Sequence, residues 1–143
     1  MNIAFFTEDI DSNIFALTLN QKKSVQSWVS GIIKAEGYEL AQLNYIFCTD
    51  AYLYQINQEY LNHDTFTDII TFDNSDQEKT IESDIFISID RVRENSQLQN
   101  TLFEDELARV LIHGVLHLMG WSDKTNALKK EMRLKEEACL SLR

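Results

Sequence analysis

His113 and His117 stand four residues apart in the run His113-Gly114-Val115-Leu116-His117-Leu118-Met119-Gly120-Trp121-Ser122-Asp123, and they are two of the chain's three histidines. On a helix that spacing puts both imidazoles on one face, a turn apart, where they can share one ion. Gly120 suits the left-handed residue that ends a helix and swings the chain back. Such a turn brings Asp123 up as a third ligand. Three protein donors with a fourth position left to water is the arrangement of a catalytic zinc site; a structural site is closed. His113, His117 and Asp123 are therefore the expected ligands of one Zn2+. His113 and His117 are the expected catalytic pair, acting through water bound to that ion. Asp123 has a competing role, because an aspartate just before Lys124 and Thr125 also suits the N-cap of a last helix.

Gly114 lies inside the same helix, where glycine costs about 1 kcal/mol relative to alanine. Either a close approach of substrate to the metal or tight packing of the helix on a sheet would offset that cost. The spacing also overlaps the metzincin protease pattern, in which a glutamate directly after the first histidine is the general base. Gly114 fills that position and moves no proton, which argues against peptide hydrolysis by that route. No general base stands out elsewhere.

The elements that must position these groups follow from periodicity. Ile3 to Phe6 reads as a short strand. Gln21 to Glu36 reads as a helix with Val25, Trp28, Val29, Ile32 and Ile33 on one stripe and Gly37 as its stop. Leu40 to Thr49 is strand-like, and Asp50 is placed to cap a helix running to Asn62. Asp68 to Phe72 and Asp84 to Ile89 read as two further strands, adjacent enough to pair as a hairpin, with the polar stretch Asp73 to Ser83 as an exposed connection. Asp90 to Leu98 fits a short helix. Thr101 and Glu104 have capping-box spacing for the helix that carries the histidines to about Met119. A last amphipathic helix, Thr125 to Leu142, turns Leu128, Met132 and Cys139 inward. The expected fold is α/β (α+β), one mixed sheet of about four strands with helices packed on it, and the metal site on a helix of the C-terminal half and its following loop.

With 143 residues, 44% hydrophobic and 25% charged, the chain is the size and composition of one globular domain spanning residues 1–143. Thirteen basic and 23 acidic residues give a net charge of −10. That weighs against a simple nucleic-acid binder, which shows a basic footprint. An acidic protein still reaches RNA through a bound metal ion and a local basic patch, with a larger partner for delivery. The opening residues Met1 to Glu8 carry no basic leader, which argues against a secretory signal. Val110 to Trp121 is too short to span a bilayer. Cys48 and Cys139 are too few for a disulfide framework. The expected compartment is the cytoplasm, with reduced thiols and no membrane contact.

The block from His113 to Asp123 resembles the signature His-Gly-x-Leu-His-Leu-x-Gly-Tyr-Asp-His of the YbeY family of rRNA maturation endoribonucleases. Thr67-Asp68-Ile69-Ile70-Thr71-Phe72 is similar to that family's Pro-Thr-Asp-Val-Leu-Ser-Phe, and Ser83-Asp84-Ile85-Phe86-Ile87-Ser88 to its Gly-Asp-Ile-x-Ile-Ser. Order and spacing agree from about residue 40 onward. The resemblance implies a small metalloprotein that cleaves single-stranded RNA in maturation of the 16S rRNA 3′ end and in ribosome quality control. It further implies the ribosomal small subunit and its proteins as partners, and zinc on the three motif positions, here His113, His117 and Asp123. Three positions depart from the pattern. Asp123 replaces a histidine, Ser122 replaces an aspartate, and Leu61 stands where family members often carry an arginine thought to meet RNA. His63 and Asp64 follow closely in what reads as a polar loop.

The expected substrate cleft takes Thr67 and Asp68 from the strand motif, with Arg91, Arg93, Arg109 and Lys124 as phosphate partners. Asp68 also suits a role orienting a ligand from behind. Two other functions fit the same ligands: a non-catalytic ribosome-assembly factor with a structural metal, and a metal-dependent hydrolase of another substrate.

Overall fold

The computed structural model describes residues 2–61 and 67–143. His63 and Asp64 lie outside the described residues. Along the chain run β1 (Ile3–Glu8), α1 (Leu19–Ala35), β2 (Glu39–Cys48), α2 (Asp50–Leu61), β3 (Ile69–Asp73), β4 (Thr80–Ser88), α3 (Ile89–Leu98), α4 (Phe103–Leu118) and α5 (Asn126–Leu140). The four strands form one sheet in the order β1-β2-β4-β3. β1 and β4 both pair in parallel with β2, while β3 pairs antiparallel with β4, so the sheet is mixed. Helical crossovers supply the parallel pairs and a hairpin supplies the antiparallel one, as the spacing of the strand runs requires.

Both sheet faces are covered. Tyr45, Phe47, Ile85 and Ile87 join residues of α1, α4 and α5 in the larger core, and the smaller cluster of Cys48, Leu53, Ile56 and Ile70 lies under α2. α4 is buried along much of its length, which suits its nearly continuous apolar sequence. Its buried backbone is anchored by the Tyr45 hydroxyl, which donates to Leu111 O at 2.9 Å. The Trp28 indole ties α1 to α5 by donating to Cys139 O at 2.8 Å. Cys48 and Cys139 are free and buried. Burial first, then the nearby carboxylates of Asp90 and Asp50, pushes the Cys48 thiol up to about 12, which leaves it inert at neutral pH.

Several boundaries differ from the sequence expectation, each for a local reason. β4 starts at Thr80, so part of the stretch expected as connection is strand: it gains β2 as a second partner. At the start of α2 the cap is the Thr49 hydroxyl, which accepts from Tyr52 N at 3.2 Å, and not Asp50. The capping box at Thr101 does not form. α4 begins after Leu102, which makes no side-chain cap. Thr101 is consumed in closing α3, where its N–H donates to Ser96 O at 2.9 Å while Asn100 takes the left-handed conformation at φ 56°. An unforeseen capping box does form at α1, between Thr18 and Gln21.

Candidate metal centre

α4 ends where the sequence says it should. Gly120 has φ +95°, Gly120 N–H donates to His117 O at 3.0 Å, and Trp121 N–H donates to Leu116 O at 3.0 Å. That paired pattern is a Schellman motif, and it reverses the chain just beyond His117. Thr125 then caps α5 by accepting from Leu128 N at 3.1 Å. The cap role weighed for Asp123 therefore falls to Thr125, and the Asp123 carboxylate turns toward the histidines.

His113 Nε2 and His117 Nε2 lie 3.0 Å apart, and Asp123 Oδ2 is 3.6 Å from the first and 3.5 Å from the second. Among the described residues these three are the group that could hold a metal ion. Zn–N distances of about 2.0–2.1 Å in a tetrahedron require donor atoms roughly 3.3 Å apart. The three separations bracket that value, so the donor set fits a four-coordinate ion. Side-chain exposures of 22% for His113, 32% for His117 and 40% for Asp123 leave one side open to solvent, where a fourth ligand can enter.

Behind His113 stands a group the sequence reading missed. Its Nδ1–H donates to Glu136 Oε2 at 2.6 Å, and Glu136 is buried on α5 at 4% exposure. Glu136 Oε1 accepts from Arg109 Nη1 at 3.3 Å, and Arg109 Nε faces Glu106 Oε1 at 3.7 Å, too long for a hydrogen bond. This carboxylate–imidazole pairing fixes the tautomer that leaves Nε2 free to coordinate. The signal was present: Glu136 falls four residues after Met132, on the apolar stripe of the last helix, where a charge needs a partner. Burial disfavours the charged form of His113, but its hydrogen bond to Glu136 and the carboxylates of Glu136, Asp123 and Asp68 outweigh burial and raise its pKa.

The remaining expected site residues separate. Asp68 is half-buried and within electrostatic range of His113 and Arg91; burial raises its carboxyl pKa, and those two cations pull it partly back. Thr67, beside it, donates its hydroxyl to Ile69 O at 3.3 Å. Arg91 grips Asp50 at 2.7 Å, joining the starts of α2 and α3. Arg93, two residues on, points elsewhere: its guanidinium lies 5.1 Å from the Phe103 ring centroid, in an apolar cavity with Phe15 and Trp28 that no metal-ligand candidate lines. Positions i and i+2 of a helix face apart, so the two arginines could not both serve one cleft. Arg109 is committed to Glu136 and Glu106, and Lys124 is exposed. Leu61 closes α2 as a 39% exposed apolar side chain.

Gly114 faces the sheet. A Cβ there would lie 2.9 Å from Ile69 Cδ1 and 3.1 Å from both Ile85 Cδ1 and Thr71 Cγ2. Close helix-to-sheet packing is thus the reason for the glycine, and a glutamate at that position would be driven into β3 and β4.

Fold and site together define a class: an α/β protein with a His-His-Asp centre on a helix and the loop that follows it, backed by a buried carboxylate. A sequence model described as Endoribonuclease YbeY matches residues 8–142, well upstream of the motifs that first carry the likeness. The chain is 53% identical over 141 residues to the endoribonuclease YbeY of Cytophaga hutchinsonii, covering 99% of this chain and 95% of that one. It is 44% identical over 140 residues to that of Christiangramia forsetii, covering 98% and 93%. The solution structure of a Thermotoga maritima protein is similar with a TM-score of 0.67 at 26% identity, covering 98% of this chain and 87% of that one. The chain belongs to the endoribonuclease YbeY family.

Proposed function

We propose that the chain is a single-strand-specific endoribonuclease that holds one Zn2+ on His113, His117 and Asp123. It acts in the cytoplasm on the 3′ end of 16S rRNA, and serves maturation and quality control of the small ribosomal subunit. The observation that carries this reading is the convergence of three donor atoms at 3.0–3.6 Å in a chain whose relatives are named endoribonucleases. No helix among the described residues is long and apolar enough to cross a membrane.

A bound zinc supplies a Lewis acid for a phosphoryl oxygen and acidifies water at neutral pH. The chain's own residues do the rest. His113 and His117 present neutral Nε2 lone pairs, and Glu136 holds His113 in the orientation that requires. Asp123 contributes a negative charge where a histidine would contribute none. Asp68, raised by burial and within range of His113, is the carboxyl group suited to hold or take a proton beside the centre.

Cleavage of labelled single-stranded and duplex RNA tests the proposal. Single-stranded RNA is cut, cleavage stops with a chelator and returns with zinc, and folded His117→Ala is inactive. Undiminished cleavage by His117→Ala, or in chelator, would overturn the assignment.

A further inference from the structure

Charge is spread unevenly over this acidic chain. Between residues 124 and 135 stand Lys124, Lys129, Lys130, Arg133 and Lys135, with Glu131 the one carboxylate among them. Lys135 is committed elsewhere, paired with Glu36 and placed 5.4 Å from the Trp121 ring centroid. Lys129, Lys130 and Arg133 instead line a shallow cleft of about 370 Å³ whose other walls include His113, Asp123 and Glu136. All three are exposed, and neither lysine has an ion-pair partner among the described residues. Arg133 donates to Gln99 Oε1 at 3.2 Å, which steadies its guanidinium without neutralising it.

Two carboxylates border this cleft, Asp123 and Glu136, and either would repel a phosphodiester. Cations on the same rim reverse that repulsion, and they do so beside the centre where a scissile phosphate must arrive. We propose that Lys129, Lys130 and Arg133 form a phosphate seat on α5 that holds the backbone of single-stranded RNA against the His113–His117–Asp123 centre. This rests on the endoribonuclease reading and adds to it the direction from which the strand enters. Contacts of this kind read charge and not bases, so the seat positions RNA of any sequence. A net charge of −10 is compatible with RNA binding because the attraction is local.

The test is binding of a short, cleavage-resistant oligouridylate (2′-O-methyl, phosphorothioate) to zinc-loaded protein, by fluorescence anisotropy over a range of potassium chloride concentrations. K129Q/K130Q/R133Q is expected to weaken binding about tenfold or more and to lower the salt slope by about 2, roughly 0.7 for each lost phosphate contact. Its zinc uptake stays as in the parent protein. The control K22Q/K23Q/K34Q removes the same charge from α1 and binds as the parent does. Parent-like affinity and slope in the α5 variant, or an equal loss in the α1 control, would overturn the seat and leave the nuclease reading standing. If the parent protein takes up zinc yet binds no RNA, both fall.

Discussion

Glu136→Gln removes one charge from a buried position and changes almost nothing else in shape. The parent carboxylate accepts the His113 Nδ1–H at 2.6 Å and is 4% exposed, so solvent screens the interaction little. It does two things for the centre: it fixes the tautomer, and its charge makes His113 Nε2 a better donor. Partners of this kind are worth about 10–100-fold in metal affinity, or about 1.4–2.8 kcal/mol. The glutamine oxygen still accepts the Nδ1–H, so Glu136→Gln keeps the tautomer and loses the charge, while its NH2 turns toward Arg109 Nη1 and gives up that longer 3.3 Å hydrogen bond. A loss near the lower figure, about tenfold, is expected. Glu136→Ala removes the acceptor as well and strands Arg109, whose other carboxylate, Glu106, stands 3.7 Å away. Its loss should approach the upper figure, with a lowered Tm. Competition titration of zinc against a chromophoric chelator measures both, with circular dichroism confirming the fold. Folded Glu136→Gln binding zinc within a factor of about two of the parent would refute the reasoning, because the charge would then have no effect on the metal.

The pH dependence follows from the raised pKa of His113. In chelator-treated protein its protonated pairing with Glu136 contributes stability that is full below the ordinary histidine pKa and is lost as pH rises through the raised value. Zinc needs the neutral ring, so its affinity should fall on acidification from a pH above the usual histidine range; flat affinity down to that range contradicts the pairing. Gly114→Ala gains about 1 kcal/mol of helix propensity but meets an overpacking cost of about 1–3 kcal/mol against Ile69, Ile85 and Thr71. A net loss near 1 kcal/mol is expected in urea unfolding, and a stabilised variant would mean the contact relaxes freely. Gly120→Ala forces a left-handed residue at about 1–2 kcal/mol and should weaken zinc binding through the displaced Asp123 loop; unchanged Tm and affinity would contradict that. Asp68→Asn is expected to lower kcat by roughly a hundredfold with zinc content unchanged, and full activity would remove it from proton handling.

Local patterns were legible and tertiary partners were not. The His113–His117 spacing and the Gly120 turn are set by neighbouring residues, the mixed sheet follows from the lengths of the connections between strands, and each is found where the sequence points. Thr101 misled because two helices compete for it and closing α3 wins. Asp123 had two readings until Thr125 was seen to cap α5. Glu136 lies 23 residues from His113, and no periodicity within one helix links them. Arg91 and Arg93 read alike as cations, but helix geometry sends one to Asp50 and the other to Phe103.

Metal content of the purified protein after zinc saturation and gel filtration is the most direct test. One zinc per chain in the parent, and none in folded His117→Ala, is the expected result. Equal zinc in the two proteins, or none in the parent, would contradict the three-ligand centre on which the nuclease chemistry rests.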